Sequence, residues 1–411
     1  MANANDKAPL VLVTDAGRGS AIAIIRSLGR KGYRVIAADS NPKSLGFYSR
    51  YASERLVYPA PETNPQEFCD CLLKNAKAKG IDLIIPATDL AIQPLARARA
   101  SFTGMTLLAL PENSLLEFVT DKAKTVDLAK RLGVPVPATF LVQTAEEALA
   151  KADELGWPIV LKPQSSKQMR EDKGIDSFKV TYANDRDELH RAMKTFEGRC
   201  AVLLQSYCNG TGLGVELLMH DGEPLAAFQH KRRREIPLTG GASAYRESVP
   251  LDPELYDFSV RLLREHRWTG LAMVEFKTNG VGAKLMEING RVWGSLPLAV
   301  ASGVDFPGML ADMYMHGAAS IKPQVDTNYK LGVRCRDVQR DLMWIVSVFM
   351  QRSRYPFLKM PGRFAALRAL LGFFNPARKF DLLTLDDPLP GIMEFPRVVK
   401  KFRSKMRESE E

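Results

Sequence analysis

Long apolar runs are missing from this chain. The longest, residues 342–350, is interrupted by Ser347, whereas a membrane-spanning helix needs about 20 apolar residues. Cysteine is scarce too: Cys69, Cys71, Cys200, Cys208 and Cys335 lie scattered, with no CxxC pair. That pattern argues against a disulfide framework and a thiolate zinc site, and it fits a reducing cytoplasm. No secretory signal is expected at the N-terminus, where residues 1–9 are polar and the apolar run at 10–13 is far too short. Internal repeats and low-complexity segments are absent as well.

What is there is a chain of 411 residues with ordinary globular composition, 45% apolar and 25% charged, long enough for two or three domains. The net charge is +10, but it is unevenly placed. Residues 321–411 hold 18 basic and 10 acidic side chains, so the rest of the chain is near neutral. Nucleic-acid binding by the whole protein is therefore not expected.

The first third alternates short apolar runs (10–14, 34–38, 83–86, 106–109) with helical periods (20–31, 66–79). This predicts a parallel sheet with helices on both faces. Ligands of such sheets sit at the carboxyl ends of the strands, which singles out 15–20, 39–41 and 87–89. The spacing then predicts one helix over 114–132, capped by Asn113 or Ser114 and stopped by Gly133, Pro135 and Pro137. Short strands at 139–142, 159–162, 178–182 and 201–207, with helices at 145–155 and 186–195, predict a small α+β module. Runs at 215–219, 224–230, 271–277 and 284–289, with a helix at 253–266, predict a second, antiparallel one.

The chemistry concentrates in 271–291. Two strand-like runs, LAMVEFK and KLMEING, flank a turn-rich connection. Side chains alternate along strands, so Glu275, Glu287, Asn289 and Arg291 share a face only if the connecting loop has an odd number of residues. Glu275 would then lie opposite Leu285, with Glu287 diagonal to it at roughly 7 Å. Two carboxylates and an amide oxygen suit Mg²⁺; a solvated strand face is the bland alternative. Lys162 ends an apolar strand before Pro163, where its ammonium can meet a phosphate or simply stay wet above a packed stem. The polar stretch 164–179, with Ser165, Ser166 and Gly174, is glycine-poor for a phosphate loop.

With these residues on view, the chain resembles the ATP-grasp superfamily of carboxylate–amine ligases, and within it the short carbamoyl-phosphate-synthase-like forms. The resemblance rests on Asp121-Lys122, VLKP at 160–163, LLQSYCNG at 203–210, VEF at 274–276 and MEINGRVWGS at 286–295, and it covers residues 10–315. It implies a fold: a Rossmann-like domain at 1–112, a two-part ATP-grasp body at 113–318 with a lid at about 138–207, and a basic, mainly helical extension at 319–411.

It also implies roles. Lys122 and Lys162 would neutralise the α- and β-phosphates of ATP. Gln205, Ser206 and the backbone at Tyr207 would form the hinge that reads adenine. Glu216 is the candidate for the ribose. Glu275, Glu287 and Asn289 would hold two Mg²⁺ ions, with Mn²⁺ as the substitute. Arg291 would stabilise the transferred phosphoryl group, making Arg291 and Lys162 the catalytic pair. The implied reaction joins a small-molecule carboxylate to an amine through an acylphosphate.

Two segments stand beside this reading. In HKRRR at 230–234, strand alternation lets either His230, Arg232 and Arg234, or Lys231 and Arg233, face the cleft. The glycine-containing turn 15–20 with Asp39 invites an NAD(P) dehydrogenase reading, with Thr88 and Asp89 as substrate contacts, but Ile22 occupies the third glycine position of the dinucleotide fingerprint. A non-catalytic nucleotide-binding module is the third class. In the aromatic and arginine-rich tail, segments such as FAALRALLGFF read as a helical cap on the body or as a helix resting on anionic lipid. Asp386, Asp387, Pro388 and Pro390 suggest an ordered turn. A homodimer stays open.

Overall fold

The short apolar runs of the first third pair in parallel. A computed structural model describes residues 8–165, 167–169, 175–351 and 355–407; Ser166 and Gly174 of the glycine-poor stretch lie outside them. The first sheet runs in the order Glu54–Val57, Arg34–Asp39, Leu10–Val13, Leu83–Ile85, Leu107–Leu108, all parallel. Its central strand is wholly buried. The edge strand Glu54–Val57 was not expected, because it begins with two charged residues and all four are only half-buried or exposed.

The expected single helix over 114–132 is two helices, Asn113–Thr120 and Lys122–Arg131. Asp121 leaves the helical conformation (φ −87, ψ 100), and its carboxylate accepts from the amides of Ala123 and Lys124. A short acidic side chain favours capping over a helix interior, and here that preference breaks the run. The first helix is preceded by Glu112, which makes no side-chain cap bond. Asn113 instead donates to the carbonyl of Ala96.

Two further sheets follow, one antiparallel and one antiparallel except for its last pair of strands, which is parallel. The smaller has the order Thr181–Ala183, Ile159–Pro163, Val202–Ser206, Thr139–Val142. Helices Ala145–Leu155 and Arg186–Lys194 pack their apolar stripes on it. The larger has seven strands: Ala283–Asn289, Gly270–Thr278, Thr211–His220, Glu223–Ile236, Ala242–Ser248, Arg334–Arg336, Arg378–Phe380. Ala242–Ser248 was not expected either, since it follows Gly240-Gly241 and is rich in small and polar residues. The last two strands come from the C-terminal 93 residues of the 411, so this region extends the body's own sheet besides carrying the helices Val338–Phe349, Arg363–Leu371 and Leu389–Arg407.

The parts are locked together. One hydrophobic core joins Val11, Ile24 and Leu28 of the first domain to Leu218, Trp293, Leu296 and Phe306 of the body. Around Asp386 and Asp387 the turn is ordered: Arg26 pairs with Asp387 at 2.9 Å with both side chains buried, and donates to the carbonyls of Leu382 and Asp387. Arg246 pairs with Asp381 at 2.5 Å, equally buried. Removing one partner of such a pair strands a buried charge and costs about 3–5 kcal/mol.

Candidate active site

The hairpin Gly270–Thr278/Ala283–Asn289 is joined by the four residues 279–282. An even loop should have put Glu275 and Glu287 on opposite faces. They share a face because of a bulge: Phe276 pairs with Leu285, but Glu275 pairs with Glu287, leaving Met286 as an extra residue. One added residue flips the alternation of everything after it. Glu287 is thus the direct partner of Glu275 rather than its diagonal neighbour, and Leu285 faces Phe276. The amide of Asn289 lies within 3.1 Å of Oε1 of both carboxylates.

Lys162 arrives from the smaller sheet. Its ammonium donates to the carbonyl of Met286 at 3.4 Å, so the bulge that aligns the carboxylates also presents an acceptor to the lysine. Burial pushes the Lys162 ammonium down to about 8, with Glu287 working against that shift and Lys122 and Lys277 adding to it. Burial opposes ionisation of Glu287, yet Lys122, Lys162, Asn289 and Arg291 hold its carboxyl below the usual range. Glu275 is pushed up by burial and by the charge of Glu287, against the pull of Arg232. The two carboxyls at close range are thus shifted in opposite directions, Glu287 down and Glu275 up.

The remaining cations are placed by neighbouring elements. The Lys122 amide donates to the Gln164 carbonyl at 3.0 Å, and Gln164 donates to Asp121, which ties this helix start to the strand that carries Lys162. Arg291 reaches back to the first domain, donating to Asp89 at 2.8 Å. Of HKRRR, only Arg232 enters the cleft, 2.6 Å from Glu275. His230 is buried against Glu216, Arg234 turns to Asp341 through a register shift, and Arg233 pairs with Glu247. Strand alternation alone would have kept His230, Arg232 and Arg234 together.

Glu216 is a correction. It is wholly buried, 2.9 Å from Nδ1 of His230, and accepts from Ser295 at 2.7 Å. It lies beneath the cleft and offers no surface to a ribose. Gln205, Ser206 and Tyr207 do line the cleft, with the Gln205 amide donating to Thr139 at 3.0 Å. Tyr182 and Tyr207 form an aromatic wall there, backed by Tyr355 and Phe357 from the C-terminal region. The ring centroids are 5.1 Å apart for Tyr182–Tyr355 and 4.8 Å for Tyr207–Phe357. Sequence offered no cue for partners so far away along the chain. It did offer one for Lys277, two residues after Glu275 on the same strand face, which also lines the cleft.

Two cavities meet at these residues. One, of about 450 Å³, runs from the hinge past Lys162, Arg232, Glu275 and Lys277 to Glu287, Asn289 and Arg291. The other, of about 530 Å³, is lined by Asp89, Gln93, Arg97, Glu117 and Lys122 and by the same Glu287, Asn289 and Arg291.

The turn after the first strand is closed to phosphate. The Gly17 amide, which would face a pyrophosphate, donates to the Asp39 carboxylate at 2.7 Å, and the Ser44 hydroxyl donates to the same oxygen. An acidic side chain thus sits where a dinucleotide's phosphates would need bare amides. The segment Leu45–Tyr48 also crosses so tightly that a Cβ on Gly46 would stand 2.4 Å from the Ala16 carbonyl oxygen.

Fold and site define a parallel-sheet domain joined to two mainly antiparallel lobes, with Lys162 on one lobe facing a carboxylate pair on the other. A family model described as ATP-grasp in the biosynthetic pathway with Ter operon matches residues 199–339. The carbamoyl phosphate synthase large chain of Methanothermobacter thermautotrophicus is 22% identical over 357 residues, covering 82% of this chain and 30% of that relative. The chain thus spans less than a third of that relative's length. The biotin carboxylase domain of Hydrogenobacter thermophilus 2-oxoglutarate carboxylase, solved with MgADP, ADP and bicarbonate, superposes with a TM-score of 0.60. It shares 19% identity and covers 79% of this chain and 73% of that one. L-amino acid ligase from Bacillus licheniformis gives a TM-score of 0.57 at 16% identity, covering 77% and 78%. Residues 199–339 thus match an ATP-grasp family model, and the chain as a whole has the fold of these solved enzymes, a Rossmann-like domain ahead of the two-lobed body.

Proposed function

We propose that the chain is an ATP-dependent ligase that joins a carboxylate to an amine, releasing ADP and phosphate. The meeting of two cavities at Glu287, Asn289 and Arg291 carries this reading, because it lets a phosphoryl group pass from a nucleotide in one to an acid in the other. A carboxylate is a poor electrophile at neutral pH. Transfer of the γ-phosphoryl group makes it an acylphosphate, which an amine attacks, expelling phosphate.

Such a transfer asks the protein for positioning and for cations around the phosphoryl oxygens. Lys162 approaches from the smaller lobe, Lys122 from the helix start and Arg291 from the junction with the first domain. Tyr182, Tyr207 and the hinge backbone would hold the base. Arg97 and Arg291 suit the acid in the second cavity, and Asp89 and Glu117 suit a cationic amine.

Glu275, Glu287 and Asn289 fit Mg²⁺ as a donor set: two carboxylates converge on one amide, whose oxygen a half-turn would present. Among the described residues no cluster of three or more acidic, histidine or cysteine side chains forms a complete cage, so waters and phosphates would have to finish the coordination. When bound, the ion would offset charge on the β- and γ-phosphates.

The test is ADP release from ATP with panels of acids and amines. Lys162→Ala and Glu287→Ala should abolish it while retaining wild-type circular dichroism. Wild-type turnover in either variant overturns the assignment, and nucleotide binding without turnover on any pair would leave a binding module.

A further inference from the structure

Helix Arg363–Leu371 is built inside out. The side it turns to the body carries Ala366 and Ala369, packed on Trp344, Ile345 and Val348. Its outer side carries Phe364, Leu367, Leu370 and Leu371, and the following turn adds Phe374, which is 83% exposed. A helix that served only as a cap would bury the large residues and expose the small ones. Next to it, Phe349 and Met350 at the end of the preceding helix are also exposed. Large apolar side chains gathered on one surface mark a contact site.

Charge says what kind of contact. From residue 342 to residue 380 the sequence has no Asp or Glu, while it has seven Lys or Arg. Of these, Lys359, Arg363, Arg368 and Lys379 are exposed. We infer that this face rests on an anionic lipid surface, with Phe364, Leu371 and Phe374 entering the interface and the basic residues meeting the headgroups. Aromatic and leucyl side chains flanked by Lys and Arg are what an interfacial helix needs. A second copy of the chain fits poorly, since a twofold contact would bring the same cations face to face. The helix lies on the membrane rather than through it: no described helix is long and apolar enough to cross one. This placement does not depend on the ligase reading.

The test is flotation of the full chain with vesicles of phosphatidylcholine, alone or mixed with phosphatidylglycerol. The wild type should float with the mixed vesicles at least about tenfold more than with the neutral ones, and added salt should release part of it. A triple variant, Phe364→Glu, Leu371→Glu and Phe374→Glu, should stay behind. Arg368→Ala with Lys379→Ala should weaken flotation. Because these side chains are exposed, both variants should keep the wild-type melting temperature. Three results would each overturn the inference: no flotation at low salt, equal flotation on neutral vesicles, or flotation by the triple variant. Self-association that the triple variant loses, without vesicle binding, would assign the face to protein contact instead.

Discussion

Glu275 stands directly across the hairpin from Glu287, although the four-residue loop between their strands should have turned them to opposite faces. The extra residue Met286 restores the alignment, and its carbonyl accepts from Lys162. One irregularity thus sets three groups of the site. Replacing Glu287 with Gln should keep the fold but remove the ionised member of the pair. The Mg²⁺-dependent part of ADP affinity should vanish, and turnover should fall by about 10²-fold or more. Calorimetric titration of ADP with and without Mg²⁺ checks this.

Burial pushes the Lys162 ammonium down to about 8 in the free protein. Its charge is present below that pH and lost above it. ADP affinity should therefore be steady up to about pH 8 and then weaken, by at most about tenfold per pH unit. In Lys162→Arg, whose side chain stays charged at every accessible pH, the profile should be flat. A wild-type profile that is flat to pH 9.5 would contradict this role for the lysine.

Phe357 touches the aromatic wall without lining the cleft. Phe357→Ala should loosen Tyr207 and Tyr182 and raise the ADP Kd by roughly 3- to 10-fold, the scale of one aromatic pair. Turnover at saturating ATP should change less. An unchanged Kd would mean that the C-terminal region does not support the base site.

Glu394 is buried near Asp337 and Asp381, and burial followed by those charges pushes its carboxyl up to about 8. A carboxyl raised in the folded state favours folding while protonated. That contribution is complete below about 4.5 and fades as pH rises towards 8. Thermal unfolding should show stability falling across this window, and Glu394→Gln should flatten the fall.

Much of the fold was legible because the parallel strands are unbroken apolar runs and most helices have clear stops. What escaped was set by tertiary context. The edge strand Glu54–Val57 has no buried face to announce it, and Asp121 broke a helix whose periodicity ran straight through. The site was legible in residue type, since MEINGR and VLKP stand out, but not in register. Hairpin parity pointed to an odd loop, and only the bulge reconciles the even one with a shared face. Glu216 looked like a free acid after the hinge, yet it is spent on His230 and Ser295. The Asp89–Arg291 bond and the Tyr355–Phe357 backing join segments far apart in the chain, which local patterns do not report.

The most direct test uses the acid and amine that support ADP release, with the acid's carboxylate labelled with oxygen-18. Attack of that carboxylate on the γ-phosphorus leaves one of its oxygens bridging carbon and phosphorus, and when the amine attacks the acyl carbon the C–O bond breaks and phosphate departs with that oxygen. Mass spectrometry should find released phosphate bearing one labelled oxygen, alongside ADP. Unlabelled phosphate, or AMP with labelled oxygen on its phosphate, would contradict the account.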